Sequence, residues 1–367
     1  MARIELCNLV KSFGAVQAVK DLSFTIEDGE FVVFVGPSGC GKTTTLRMIA
    51  GFEDPSSGEI RIDGQTVNDL EPRDRGLGMV FQSHALFPHK NVAQNIEFGL
   101  RMKKVEPEER VRRVREVAEM VRITHLLQKM PGQCSGGESQ RVALARTLVT
   151  NPSTFLLDEP LSSLDAKLRR ELRAECDRLH QELRRTFIYV THDQEEALAM
   201  SDRLAVFSHG VIEQVGAPAE VYERPATAFV AGFVGTSNLL SGDAARAIVG
   251  HDGTFTVRPE KIRLEAPDAP VAADESSALG HVDEVVYLGS DTRYLVALEL
   301  GPRLVVTEQN LATSSTQALA ARGRAVRLTW KREHNYPVKG GVSVEPAGPA
   351  ETPTAETPAA AKEEDRA

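Results

Sequence analysis

Apolar and polar positions follow three different rhythms along this chain. Over residues 1–235 strand-like runs alternate with helical stretches. Ile4-Glu5-Leu6 and Leu22-Ser23-Phe24-Thr25-Ile26 alternate as half-buried strands do. Gly58 to Gly64 reads as a short strand that ends in a turn. Phe31 to Val35 is apolar throughout, as a central parallel strand requires, and Thr154–Leu157 and Phe187–Val190 read the same way. With helices between such strands, the expected core is an α/β layer. Residues of about 84–152 differ: they are mostly helical, with Val111, Val114, Ala118 and Val121 on one face and Arg112, Arg113, Arg115 and Glu116 around it. This block reads as a helical subdomain inserted in the core, its arginines forming a solvated face. After Gly235 short alternating strands recur at Phe255–Arg258, Gly280–Tyr287, Arg293–Leu298 and Ala325–Trp330. They predict a second, all-β domain over 236–345, read as a small barrel. Residues 346–367 are mainly Pro, Ala, Glu and Thr and predict a disordered tail. No full-length repeat is visible, which gives one core module per chain.

Composition narrows the partners. A chain of 367 residues, 41% hydrophobic and 26% charged, suits two globular domains. A net charge of -9 argues against nucleic acid, which calls for a basic footprint. No run approaches the ~20 apolar residues of a membrane span, and the N-terminus lacks the apolar stretch of a signal peptide. The expectation is a cytosolic chain that meets a membrane only through other chains. Cys7, Cys40, Cys134 and Cys176 are scattered and read as free thiols.

Gly36-Pro37-Ser38-Gly39-Cys40-Gly41-Lys42-Thr43 fits GxxxxGK[ST], between a buried strand and a helix over Thr44–Ala50 that stops at Gly51. Glycines let such a loop curl with its N–H groups inward, at a helix end whose dipole favours anions. Lys42 can reach the β- and γ-phosphates of a nucleotide, and the Thr43 hydroxyl can ligate Mg²⁺. A second apolar strand ends in Asp158-Glu159. Taken alone these are two turn acids before Pro160; beside a phosphate loop, Asp158 is placed to hold the Mg²⁺ shell and Glu159 to act on an attacking water. Ser135-Gly136-Gly137-Glu138 opens a helical stretch, Ser139–Leu148. It is either a plain capping box or a second anion nest. One nucleotide does not need two nests in one chain, so a second nest points to the nucleotide of another chain.

These motifs together resemble the ABC transporter ATPases over nearly the whole ordered chain. Cys134-Ser135-Gly136-Gly137-Glu138-Ser139-Gln140-Arg141 resembles the family's signature motif, usually LSGGQ. Gln82 sits where the family has its Q-loop glutamine, and Ser162-Ser163-Leu164-Asp165 resembles the D-loop. Thr191-His192-Asp193 resembles the switch-histidine segment, and Phe13 matches the aromatic that stacks on adenine. The resemblance implies an α/β P-loop NTPase core and an ATPase that works as a homodimer on ATP and Mg²⁺. In each shared site one chain would supply Phe13, the loop residues Gly36, Ser38, Gly39, Cys40, Gly41, Lys42, Thr43 and Thr44, and also Gln82, Asp158, Glu159 and His192. The other would supply Ser135, Gly136, Gly137 and Asp165. Thr43, Gln82 and Asp158 would serve the metal, and Lys42, Gln82, Glu159 and His192 the chemistry. Two departures stand out in the signature, Cys134 for leucine and Glu138-Ser139 for Gln-Gln. After the Q-loop, His84 and Lys90 stand where relatives tend to carry Tyr and Met.

The second domain separates importers from other ABC ATPases. Thr256-Val257-Arg258-Pro259-Glu260, Tyr287-Leu288-Gly289-Ser290 and Phe233-Val234-Gly235-Thr236-Ser237-Asn238 resemble the transport-associated OB-type domain of importer ATPases. The segments Gly-Thr-Ser-Asn-Leu-Leu and Tyr-Leu-Gly-Ser-Asp-Thr are most similar to the spermidine/putrescine branch. That implies two integral-membrane permease subunits, a solute-binding protein beyond them, and a place at the cytoplasmic face of the membrane. Ferric iron, sugar or another solute stays open as cargo. A non-transport ABC ATPase, or a regulatory ATP switch, remains as an alternative class.

Overall fold

The continuous apolar runs form the middle of a six-stranded sheet. Its order is Val211–Gly216, Arg203–Ser208, Phe31–Val35, Thr186–Thr191, Thr154–Asp158 and Leu77–Val80. The pairings are parallel except that of Val211–Gly216, which folds back antiparallel onto Arg203–Ser208. The computed structural model describes residues 3–83, 85–162, 164–311 and 314–340. The predicted tail over 346–367 lies outside the described residues.

The pleat explains why Phe31–Val35 is apolar at every position. Phe31, Val33 and Val35 face one core and Val32 and Phe34 the other, all of them buried. The first core holds the helices Val92–Met102, Pro107–Met120, Gly136–Leu148 and Ala166–Leu183. The second lies under the helix Lys42–Ala50 and an antiparallel layer made of Val16–Ile26, Ile4–Phe13, Ser57–Ile62 and Gln65–Thr66. Register aligns Val35 with Thr191 and Asp158 with Val190. The loops after these three strands therefore leave the sheet side by side at their carboxyl ends, where open α/β sheets bind ligands.

Three expectations change in detail. The opening strands belong to the antiparallel layer, not to the α/β sheet, and the first runs on to Phe13 through register shifts. Val111 is 70% exposed; the buried face of its helix is Val114, Val117, Ala118 and Val121, which keeps the 3–4 spacing one turn further on. The second domain is β-rich, not all-β. A five-stranded antiparallel sheet (Arg263–Glu265, Ala325–Lys331, Glu275–Tyr287, Asp291–Leu298, Arg303–Gln309) and a three-stranded one share it with short helices at Gly242–Ile248 and Ser315–Leu319. Ala244, Ala245 and Ile248 are buried from the first of these helices, where strand alternation gives no signal. Trp330 fills this core, its Nε1 donating to Asn335 Oδ1 at 2.7 Å.

A buried arginine joins the domains. Arg258 donates to Tyr222 O at 2.6 and 3.0 Å, Ala231 O at 2.9 Å and Thr236 O at 3.1 Å, with its guanidinium over the Tyr222 ring. Tyr222 in turn donates to Glu260 Oε1 at 3.0 Å. Gly235 N donates to Gln194 Oε1 at 2.8 Å, which ties the joint to the helix Gln194–Met200 of the core.

Candidate nucleotide site

The loop Gly36–Gly41 needs glycine at two points for steric reasons. A Cβ on Gly36 would lie 2.4 Å from Phe207 O and 2.7 Å from Cys40 Sγ. One on Gly41, at φ +108°, would lie 2.6 Å from Ala18 O. Pro37, Ser38 and Gly39 form the exposed apex, and Thr43 and Thr44 are half-buried in the first helical turn. Lys42 is buried; its Nζ donates to Gly36 O at 2.6 Å and Pro37 O at 2.8 Å, holding the loop closed on itself. Burial pushes the Cys40 thiol up, against the pull of Lys42 beside it. At the far end of the helix Arg75 donates to Met48 O and Ile49 O, so a cation sits on the negative end of the helix whose positive end faces the loop.

The next strand tips add oxygen and nitrogen groups to this rim. Thr43 Oγ1 donates to Asp158 Oδ1 at 2.8 Å. Asp158 is buried, and desolvation holds its carboxyl above the usual range although the Thr43 bond and nearby Arg47 and Lys42 pull it down. Glu159 has φ +45°, a left-handed backbone that a non-glycine residue adopts rarely. Its N–H donates to Val190 O at 3.1 Å. The turn carries its carboxylate toward the neighbouring tips. Gln82 Nε2 donates to Glu159 Oε2 at 3.2 Å, and His192 Nδ1 lies 3.3 Å from the same oxygen. Residues distant in sequence thus meet on one carboxylate.

Ser135 caps the helix Gly136–Leu148, which begins three residues before the predicted start at Ser139. The capping box is formed: Glu138 N donates to Ser135 Oγ at 3.3 Å, and Ser135 N to Glu138 Oε2 at 2.7 Å. The Ser135 N–H is the chief reason the Glu138 carboxyl lies below its ordinary range, and His125 and Lys129 stand about it at 3.9 and 4.0 Å. The acid that replaces glutamine is therefore turned onto its own helix end. Cys134 is half-buried and its Sγ approaches Met130 O. A Cβ on Gly137 would meet Leu168 Cδ2 at 2.4 Å, so any larger residue there would have to displace the Leu168 side chain. Asp165 caps the helix Ala166–Leu183 through the N–H groups of Lys167 and Leu168, and these bonds, Leu168 first, hold its carboxyl low. Among the described residues no hydrogen bond or ion pair joins Ser135, Gly136, Gly137 or Asp165 to the loop Gly36–Gly41. His84 and Ser163 lie outside the described residues.

Phe13 ends the first strand and is 48% exposed. The paired strand Val16–Ile26 carries Ala18 onto Gly41, which places the aromatic near the loop. Sequence reading overlooked a buried polar group beside the strand tips. Arg169 donates to Leu164 O and to Asp193 Oδ2, both at 3.1 Å, and its Nε lies 3.8 Å from Glu196 Oε1. Glu196 accepts from Tyr189 OH at 2.9 Å and Thr191 Oγ1 at 2.8 Å, and burial raises its carboxyl. The available signal was spacing: Arg169 stands four residues after Asp165, and Glu196 three after Asp193, each at a helix start.

Residues 19–162 match the family described as ABC transporter, and residues 255–336 match the TOBE domain. The chain is 49% identical to the spermidine/putrescine import ATP-binding protein PotA of Thermobifida fusca, over 88% of this chain and 89% of that protein. The chain belongs to the ATP-binding subunits of ABC transporters. PotA of Acidothermus cellulolyticus is 47% identical over the same shares of each chain. Among solved structures, the dimeric bacterial ABC transporter cassette MJ0796 superposes with a TM-score of 0.55 at 33% identity, covering 59% of this ABC subunit and 98% of the cassette. The subunit combines a P-loop ATPase core and helical subdomain with a β-rich TOBE domain, and it is an ATP-binding and ATP-hydrolysing transporter component. Among its described residues no helix is long and apolar enough to cross a membrane.

Proposed function

We propose that two copies of this ABC subunit pack head to tail, enclose two ATP molecules, and drive solute import through two permease subunits at the cytoplasmic face of the membrane. The reading rests on one observation above all. Gln82 and His192 converge on Glu159 at the strand tips, where Asp158 also meets the loop's Thr43, while among the described residues no hydrogen bond or ion pair joins the helix start at Ser135–Gly137 to them. One chain thus holds a phosphate cradle with its acid–base cluster; the N–H groups of a second helix end would come from the other chain.

Lys42 leaves the carbonyls of Gly36 and Pro37 and takes the β- and γ-phosphates. Glu159 accepts the proton of the attacking water as its oxygen bonds to the γ-phosphorus, the bond from that phosphorus to the β–γ bridging oxygen breaks so that ADP leaves with the electron pair, and His192 holds the γ-phosphate. Thr43 Oγ1 and Asp158 Oδ1 are hard oxygen donors already in contact, which suits Mg²⁺, and the amide oxygen of Gln82 would complete the protein's share of the shell. When bound, the metal neutralises charge on the phosphate oxygens. Loss of the γ-phosphate removes the bridge between chains, and the dimer reopens.

The helical subdomain would meet the permeases near Gln82–His89. There the buried Asn95 accepts from Phe87 N and donates to the carbonyls of Phe87, Lys90 and Asn91, holding residues 87–91 in shape. The cargo we assign is a polyamine, supported by the two relatives named for spermidine/putrescine import. Two measurements test the proposal. ATP turnover per chain should rise steeply with concentration of the isolated subunit; a rate per chain unchanged on dilution to monomers rejects the shared site. Cells lacking the subunit should lose uptake of labelled spermidine; intact spermidine uptake with lost sugar or iron uptake rejects the cargo.

A further inference from the structure

Lys11 is placed unlike a surface lysine. Its side chain is 13% exposed, and its Nζ lies 4.8 Å from the centroid of the Phe13 ring. Two oxygens hold the ammonium there: Asp54 O at 2.7 Å and Glu53 Oε2 at 2.9 Å. Both belong to the turn that follows the phosphate-loop helix, whose Phe52 N–H still bonds to Arg47 O. The same turn grips the strand around Lys11, since Ser12 N donates to Ser56 Oγ at 3.0 Å and Ser56 N to Val10 O at 2.7 Å. Beyond Phe13 the hairpin tip is open, with nothing within 4 Å of a Cβ built on Gly14.

A half-exposed ring with a fixed cation near one face has its other face left for a flat partner. The ammonium draws on the π-electrons. It also removes the freedom the ring would otherwise lose on stacking. We infer that Lys11 is a positioning residue for the nucleobase: anchored by Glu53 and Asp54, it holds Phe13 at a set height beside the phosphate loop and strengthens stacking on the ring's free face. This rests on the reading that Phe13 stacks on adenine.

The test compares ATP with inorganic tripolyphosphate, which carries the charge without a base. Lys11→Met keeps the aliphatic stem and removes the ammonium. By calorimetry on the full chain, ATP affinity should fall about 3- to 10-fold, with tripolyphosphate affinity unchanged. In steady state KM for ATP should rise by a similar factor at constant kcat. Unchanged ATP affinity overturns the inference, and so does an equal loss for tripolyphosphate, which would mean the phosphate loop itself had moved. Phe13→Ala separates the two claims. If it leaves ATP affinity intact, the stacking reading fails; if it weakens ATP while Lys11→Met does not, only the role of Lys11 fails.

Discussion

Thr43 Oγ1 donates to Asp158 Oδ1 at 2.8 Å, joining the first turn of the phosphate-loop helix to the tip of a strand 115 residues further on. The bond compensates only partly for burial, which keeps the Asp158 carboxyl above its ordinary range. A carboxylate whose folded pKa is raised binds protons more readily folded than unfolded. Its ionisation therefore costs stability as pH rises from the unfolded value through the raised one. Asp158→Asn removes that cost. The variant should melt higher than the parent at neutral pH in a thermal scan, yet lose Mg²⁺-dependent ATP hydrolysis by about 10²-fold or more. In the parent, Mg²⁺ affinity should weaken as pH falls through the raised value. A variant that melts lower, or that hydrolyses normally, contradicts this account.

Glu159→Gln keeps the shape of the side chain and removes the carboxylate proposed as the base. ATP binding should persist while turnover falls about 10²- to 10⁴-fold, and size-exclusion chromatography with ATP should show a stable dimer. Normal steady-state hydrolysis would take the base role from Glu159.

Lys42→Ala removes the ammonium that bonds to Gly36 O and Pro37 O and is proposed to take the phosphates of a nucleotide. ATP affinity should drop sharply and activity vanish. Calorimetry showing parental affinity would reject the cradle.

Ser135→Arg places a long cation at a helix start and should abolish activity when both chains carry it. Mixed with Lys42→Ala chains, it should return part of the activity, because one site in each heterodimer combines an intact loop with an intact signature. Confirmed heterodimers with no hydrolysis would mean that the two sites cannot work independently or are not shared.

Arg258→Ala leaves the carbonyls of Tyr222, Ala231 and Thr236 without their donor. The expected cost is about 2–4 kcal/mol at the joint. Calorimetric melting should split into two transitions, with the TOBE domain separating from the core. A single transition at the parental temperature would show that other contacts hold the domains together.

What the sequence showed depended on the kind of signal. Phe31–Val35 matched its predicted span because a strand buried on both faces is apolar at every position. The loop Gly36–Thr43 was legible because its steric demands leave little choice of residue. Helix starts were read late at Ser139: glycines 136 and 137 look like loop, yet they form the first turn under a Ser135 cap. Val111 misled because one extra apolar residue extends a periodic pattern past the turn that has a partner to pack on. Arg169 and Glu196 belong to no motif, and the motif that holds Arg258 says nothing of what its guanidinium binds. Their importance comes from three-dimensional neighbours, such as the Tyr189 and Thr191 hydroxyls on Glu196 or the three carbonyl-bearing residues around Arg258.

Gln194 opens the helix that follows His192, and its amide oxygen accepts the N–H of Gly235, where the chain leaves for the TOBE domain. The appended domain is thus tied to the helix that follows His192 and does not trail from the end of the core. Anyone building chimaeras between relatives should cut outside 222–258, so that Tyr222, Gly235 and Arg258 travel together with a matching Gln194. A splice within that stretch would join two sound halves that share a mismatched bond at Gln194, two residues after His192.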